Sequence, residues 1–293
     1  MQVRAGETTL EVEMHGDERG EPLVLVMGLG MQLTAWRIGL VERFVQRGFR
    51  VIRFDNRDAG LSQRFEHLGT PGMLMLALRH ALHMRERAPY SLSDMARDTV
   101  NLMDALGVSS AHLCGASMGG MVLQQLAAQW PQRVRSLALM MTSSGARRLP
   151  GPTLKARAAL LARPGAGEEG LVDHYVNLFR VIGSPAYPTH EAVLRPLLRE
   201  SLRRGGPGGS GTARQLAAIA ADGDRTSLLH TLSMPTVVIH GRADPLVPIE
   251  CGEQLARHLP HARTDWIEGM GHDLPEALWP RFVDAVAMTA GRV

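Results

Sequence analysis

A serine, an aspartate and a histidine, each on a short turn, carry the chemistry legible in this chain. Ser117 lies in Gly115-Ala116-Ser117-Met118-Gly119. A hydroxyl is a weak nucleophile until a neighbouring base takes its proton, and a serine used this way is presented on a sharp turn. Glycines two before and two after it relieve the crowding of such a turn. Three fixed positions in five arise by chance in roughly 0.1–0.2 of chains of this length and glycine content, so the pentapeptide alone decides little. Its flanks decide more. Ala111-His112-Leu113-Cys114 is short and mostly apolar and reads as a buried strand. Met121 to Gln129 favours helix, and the Trp130-Pro131 pair ends it. Ser117 is therefore expected on a strand-to-helix elbow, its Oγ above the edge of a sheet.

A base and an acid must follow for that elbow to work. Pro235-Thr236-Val237-Val238-Ile239-His240-Gly241 is rich in β-branched residues and reads as a buried parallel strand. Asp244 sits in the turn after it, at the carboxyl end where open α/β sheets place their sites. His272 lies in the glycine-rich loop Glu268-Gly269-Met270-Gly271-His272-Asp273, after the run Thr264-Asp265-Trp266-Ile267. In isolation Asp244 would be an ordinary turn carboxylate and His272 a loop imidazole. Placed after successive strands in the order Ser, Asp, His, they fit a relay in which His272 is the base and Asp244 orients it. Leu139 to Arg148 contains no Asp or Glu, and Asp265 and Asp273 are poorer candidates for the acid. Asp55 and Arg57, just past the strand ending at Phe54, read as structural because the set is complete without them.

An attacked carbonyl also needs donors for the oxyanion it becomes. Pro22-Leu23-Val24-Leu25-Val26-Met27 is a continuous apolar strand running into Gly28-Leu29-Gly30. The backbone amides of Met118, the residue after the serine, and Leu29, in this early loop, are the candidates.

Four stretches together resemble a known family: Leu25-Val26-Met27-Gly28, Val51-Ile52-Arg53-Phe54-Asp55-Asn56-Arg57-Asp58-Ala59-Gly60-Leu61-Ser62, Gly115-Ala116-Ser117-Met118-Gly119-Gly120 and Gly269-Met270-Gly271-His272. They are similar to α/β-hydrolase-fold serine esterases, and among these to the aclacinomycin methylesterase-like branch. Most relatives carry His-Gly where this chain has Met27-Gly28. The resemblance covers about residues 8 to 145 and 228 to 290. It implies a mostly parallel eight-stranded sheet flanked by helices. It also implies a carboxylesterase that works through an acyl-enzyme at Ser117. Carbon–carbon bond hydrolases, lactonases and cofactor-free perhydrolases keep the same three residues, so substrate does not follow from them.

Composition narrows the alternatives. Of 293 residues, 45% are hydrophobic and 21% charged, ordinary for a chain that can bury a large core. A pI near 9.3 points toward nucleic acid, but the net charge is only +3 and the arginines are scattered, so no nucleic-acid partner is expected. The partner expected is a small-molecule ester; monomer and dimer both remain open. Cys114 and Cys251 offer no disulfide framework or zinc spacing. No metal-binding or dinucleotide motif is present, so no metal or cofactor is expected. No apolar run of 18 residues could span a bilayer, and the first residues lack a basic-then-apolar region, which sets a cytoplasmic location as the default.

Along the chain, Thr8 to Met14 and Leu23 to Met27 read as a strand pair, Thr34 to Arg47 as a helix, and Arg50 to Asp55 as a strand. Leu92 to Leu106 has helical apolar spacing, and Val134 to Met141 is a strand. From Ser143 to Leu228 the strand pattern stops. Leu154 to Leu161, Gly170 to Ile182 and His190 to Arg203 read as helices, and Gly205 to Gly211 as a flexible loop. Residues 1–145 and 229–293 are thus expected to form the core, with 146–228 a helical cap over Ser117 and the glycine loop its mobile part. Met73, Leu74, Met75, Leu76 and Met84 form a further apolar segment suited either to an acyl pocket or to core packing.

Overall fold

The computed structural model describes residues 1–72, 88–206, 209–259 and 261–292, so Met73 to Met84 lie outside the described residues. The chain opens with β1 (Gln2–Ala5), β2 (Thr8–His15) and β3 (Glu21–Val26). A 3-10 turn at Leu33–Ala35 leads to α1 (Ile38–Gln46) and β4 (Phe49–Phe54). Then come α2 (Leu92–Ala105), β5 (Ala111–Ala116), α3 (Met118–Gln129) and β6 (Val134–Met140). Helices alone follow: α4 (Leu154–Leu161), α5 (Gly167–Ile182), α6 (Glu191–Arg203), α7 (Gly209–Asp222) and the short α8 (Thr226–Leu229). The chain closes with β7 (Thr236–Gly241), α9 (Ile249–His258), β8 (Ala262–Ile267) and α10 (Trp279–Thr289).

The eight strands form one sheet in the order β1-β2-β4-β3-β5-β6-β7-β8. Pairing is antiparallel for β1/β2 and β2/β4 and parallel from β4 to β8. The expected pairing of Thr8–Met14 with Leu23–Met27 does not occur. A parallel neighbour needs a crossover. The crossover through α1 returns β4 beside β3, with Val24 opposite Ile52, and β2 lands outside it, with Val12 opposite Phe54.

Alternation along the central strands builds two cores, one on each face. Leu23 and Leu25 of β3, Val51 of β4, Cys114 of β5 and Ile239 of β7 face Leu40, Val41 and Phe44 of α1 and Phe282, Val283 and Val286 of α10. Their neighbours Val24, Val26, Ile52, Leu113 and Val238 face Met95, Val100 and Met103 of α2 and Val122, Leu123 and Leu126 of α3. The α2 start is a capping box: Ser91 Oγ accepts the Asp94 amide at 3.1 Å, and the Asp94 carboxylate accepts the Ser91 amide at 2.8 Å.

The helices between β6 and β7 carry a small core of their own, in which Val172 and Val176 of α5 meet Leu198 of α6. They are tied to the sheet by charge. Arg214 of α7, fully buried, holds Asp58 through two bonds of 2.8 and 2.7 Å. Tyr90 donates to the same carboxylate at 2.8 Å. Arg204 donates to buried Asp55 at 2.9 Å. In the expected flexible stretch, α7 instead begins at Gly209. Its glycines serve close approach: a Cβ at Gly211 would lie 2.5 Å from the Asp58 carbonyl oxygen. Ser210 caps the contact by donating to the Glu66 carboxylate at 2.8 Å. Sequence spacing alone does not expose this helix, because it opens on Gly209-Ser210-Gly211.

Breaking one partner of a buried ion pair strands the other. Asp58→Asn keeps a residue suited to the φ of +67° there, removes the charge facing Arg214 and turns one of the two acceptor oxygens into a donor. It should lower unfolding free energy by about 3 kcal/mol in urea titration, and adding Arg214→Met should recover much of that loss. A loss below about 1 kcal/mol would show that the pair is not a determinant of stability.

Candidate active site

Ser117 stands between the last residue of β5 and the first of α3, with φ +54° and ψ −121°. A non-glycine residue with positive φ costs about 1–3 kcal/mol, so the surroundings must impose it. They do so by close packing. A Cβ at Gly119 would lie 2.1 Å from the Val26 carbonyl oxygen, and one at Gly115 would lie 2.6 Å from the Gly119 carbonyl carbon. The helix can therefore start directly against β3 only with glycine at these two places. The Ser117 amide donates to Met140 O at 2.9 Å, and Thr142 Oγ1 donates to Ser117 O at 2.7 Å. Both ends of the serine are thereby held from β6 and the residues after it.

His272 Nε2 lies 3.1 Å from Ser117 Oγ, and His272 Nδ1 lies 2.7 Å from Asp244 Oδ2. Nδ1 donates to the carboxylate, which leaves Nε2 to accept from the serine hydroxyl. The other Asp244 oxygen accepts the Leu246 and Val247 amides, both at 2.8 Å. His240, at the end of β7, braces this turn by donating from Nε2 to Val247 O at 2.7 Å. Burial pushes the His240 pKa down, so it stays neutral beside Asp244.

The histidine loop is clasped by the chain after α5. The His272 amide donates to Ile182 O at 2.7 Å, and the Gly271 amide donates to Ser184 Oγ at 2.9 Å. The Ala186 amide donates back to Gly269 O at 3.1 Å. A Cβ at Gly271 would lie 2.4 Å from Gly183 O, so that glycine admits the clasp. Asp273 turns toward Ser184, whose hydroxyl donates to its Oδ1 at 2.5 Å. Burial raises the Asp273 pKa. Asp265 is held by Arg281 at 3.0 Å. Neither of these two carboxylates is the His272 Nδ1 partner.

Leu29 sits in the turn Gly28–Met31, closed by the Met31 amide donating to Gly28 O at 3.2 Å. A Cβ at Gly28 would lie 3.0 Å from Ser117 Cβ and 3.6 Å from its Oγ, which sets this turn beside the serine. Met118 opens α3, where a first-turn amide has no partner within its helix. Asp55 accepts the Leu33 and Leu61 amides at 2.6 and 2.9 Å, and Arg57 binds Asp98 at 2.6 and 2.8 Å. These contacts hold the loops below the site. Gln215, Ser184, Arg204 and Arg214 bear on it too, and sequence reasoning missed all four. They lie on the insertion, where no motif or periodicity marks them.

Cys114 is buried in β5, and burial pushes its thiol up to about 12, which keeps it protonated and inert. Among the described residues, no group of three or more His, Cys, Asp or Glu side chains is arranged to hold a metal. Also among them, no helix is long and apolar enough to cross a membrane.

A mostly parallel sheet with a serine elbow, and an acid and a histidine on later loops, is the arrangement of the α/β hydrolases. The chain belongs to the α/β-hydrolase fold family, whose model matches residues 21–169. It is 28% identical to a rhodomycin D methylesterase of a Streptomyces species, over 93% of this chain and 91% of that protein. It is 24% identical to a 3-oxoadipate enol-lactonase of Acinetobacter baylyi, over 90% of this chain and 86% of that one. Among solved structures, a meta-cleavage product hydrolase of Pseudomonas fluorescens superposes with a TM-score of 0.77 at 21% identity, covering 99% of this chain and 97% of the other.

The hydrogen bonds separate the two carboxylates near His272. Asp244→Asn should lower turnover of an activated ester by about 10⁴-fold, through loss of the Nδ1–H acceptor. Asp273→Asn, at a carboxylate hydrogen-bonded to Ser184 and not to His272 Nδ1, should lower it by less than about tenfold. A larger loss from Asp273→Asn in steady-state kinetics would reverse the assignment of the acid.

Proposed function

We propose that the protein is a serine carboxylesterase acting on small to medium-chain esters, with Ser117 as nucleophile, His272 as base and Asp244 as its orienting acid. The observation that carries this reading is the continuous hydrogen-bond chain from Ser117 Oγ through His272 to Asp244, with steps of 3.1 and 2.7 Å. The 28% identity to a protein named for methyl-ester cleavage supports esters as the substrate class. Residues 1–145 and 229–293 serve as the hydrolase core and 146–228 as a cap over the site, in a cytoplasmic setting.

His272 Nε2 takes the hydroxyl proton as Ser117 Oγ adds to the ester carbonyl carbon. The carbonyl π electrons move onto oxygen, and the amides of Leu29 and Met118 donate to that oxyanion. Each donor of this kind contributes roughly 3–4 kcal/mol in the transition state. The imidazolium, stabilised by Asp244, then gives its proton to the leaving alkoxide as the C–O bond breaks, leaving an acyl-serine. Water repeats the sequence with His272 again as base, and the carboxylic acid leaves. Neutral His240 behind Asp244 adds no competing positive charge, so the carboxylate is free to stabilise the imidazolium.

Two measurements test the reading. Ser117→Ala should retain the fold by circular dichroism and lose at least about three decades of p-nitrophenyl butyrate turnover. An unchanged rate in the purified variant would refute it. Across p-nitrophenyl esters, turnover should peak between about C2 and C8 and fall for C12 to C16. If residues 146–228 close over the site, each methylene contributes about 0.8 kcal/mol only while the chain fits beneath them. Methyl esters and lactones belong in the same panel: rapid lactone opening with weak ester turnover would replace the esterase by a lactonase on the same residues.

A further inference from the structure

Gln215 lies on α7, nearly a hundred positions beyond the elbow, and is fully buried. Both ends of its side-chain amide are used. Oε1 accepts the Gly30 amide at 2.7 Å, and Nε2 donates to the Arg57 carbonyl oxygen at 2.8 Å. Arg57 is itself fixed, since its guanidinium binds Asp98 of α2. The Gly30 end therefore hangs from a rigid support.

Gly30 is the third residue of the turn Gly28–Met31, and its φ of +67° is the left-handed value that such a turn requires there. A four-residue turn satisfies one amide internally and leaves its two central amides to find partners elsewhere. Here the amide of Gly30 goes to Gln215. The amide of Leu29 is the other, and the turn lies against Ser117. Because each peptide is planar, holding the Gly30 N–H fixes the Leu29–Gly30 peptide plane and limits how the Leu29 amide can rotate. Thr212, one helical turn before Gln215, closes the same spot: a Cβ at Gly30 would lie 2.7 Å from Thr212 Oγ1.

We propose that Gln215 is a positioning residue for the oxyanion-binding amide of Leu29, so that an inserted helix completes a donor borne by the core. The proposal rests on the esterase reading above. Only an amide side chain supplies an acceptor and a donor at this reach. Leucine supplies neither, ionised glutamate no donor, and asparagine is one methylene short.

The test uses the full chain with Gln215→Leu and Gln215→Glu. It reads kcat and KM on p-nitrophenyl butyrate and Ki for an aryl trifluoromethyl ketone, which adds to the serine and forms an oxyanion. Gln215→Leu should lower kcat roughly 10- to 100-fold, less than outright loss of a donor, with KM within about threefold. Ki should rise by the factor by which kcat/KM falls, which a general loosening of the fold would not produce. Gln215→Glu keeps shape and the Gly30 acceptor, so it should lose about 3- to 10-fold with the same parallel; it carries the test alone if Gln215→Leu does not fold. Unchanged kcat and Ki, or a fall in kcat without a matching rise in Ki, would overturn the proposal. Activity surviving in Ser117→Ala would instead refute the esterase reading. An inactive Ser117→Ala beside unaffected Gln215 variants would refute this inference alone.

Discussion

The site depends on one backbone conformation, the positive φ of Ser117. Such a residue is unfavourable alone and persists only where neighbours over-determine it. Here the neighbours are the carbonyl of Val26, which admits nothing larger than glycine at 119, and the hydrogen bonds from β6 and Thr142 to either side of the serine. The same turn starts α3 against the sheet, with Met118 as the first residue of the helix. Strands on either side of β5 in the sheet then decide what reaches Ser117, β3 next to it and β7 beyond β6. β3 delivers the Gly28 turn, and β7 delivers the loop with Asp244. The His272 loop follows β8 at the sheet margin.

Much of this was legible in the sequence, because it is local. The elbow pattern, the β-branched run of β7 and the glycine loop around His272 each announce their geometry within ten residues. Parallel strand runs are also easy to read, since burial on both faces removes polar residues from them. What failed was nonlocal. β1 is four residues long at an edge, too short for alternation to mark it. The pairing of β2 with β4 instead of β3 follows from a crossover, which no residue within β2 encodes. The start of α7 is hidden because glycines that look like a linker serve instead to let α7 touch the loop at Asp58. Gln215 and Ser184 bear on the site through contacts across some 90 to 185 positions, and their residue types are unremarkable.

Charge joins the insertion to the sheet in an unusual measure. Asp55 and Asp58 are buried on the core side, with Arg204 and Arg214 opposite. Desolvating such groups offsets much of their attraction, so they are poor sources of net stability compared with apolar packing. Their value is in geometry. A bidentate guanidinium–carboxylate pair accepts one register, and the apolar alternative would accept several. With Asp58 also bound by Tyr90, and with Gln215 adjacent to Arg214, the register of α7 is transmitted to the Gly28 turn without an intervening mobile element.

The clasp between Ile182–Ala186 and Gly269–Asp273 constrains how this scaffold diversifies. The insertion looks like a module that could be exchanged wholesale to suit a new substrate. Its seam, however, hydrogen-bonds the main chain of the histidine loop, through Ile182 O, the Ser184 hydroxyl and the Ala186 amide. An incoming insertion that lacks this seam would leave the imidazole without its backbone tether. A replacement insertion would therefore have to bring the Ile182–Ala186 junction with it as a unit matched to the histidine loop.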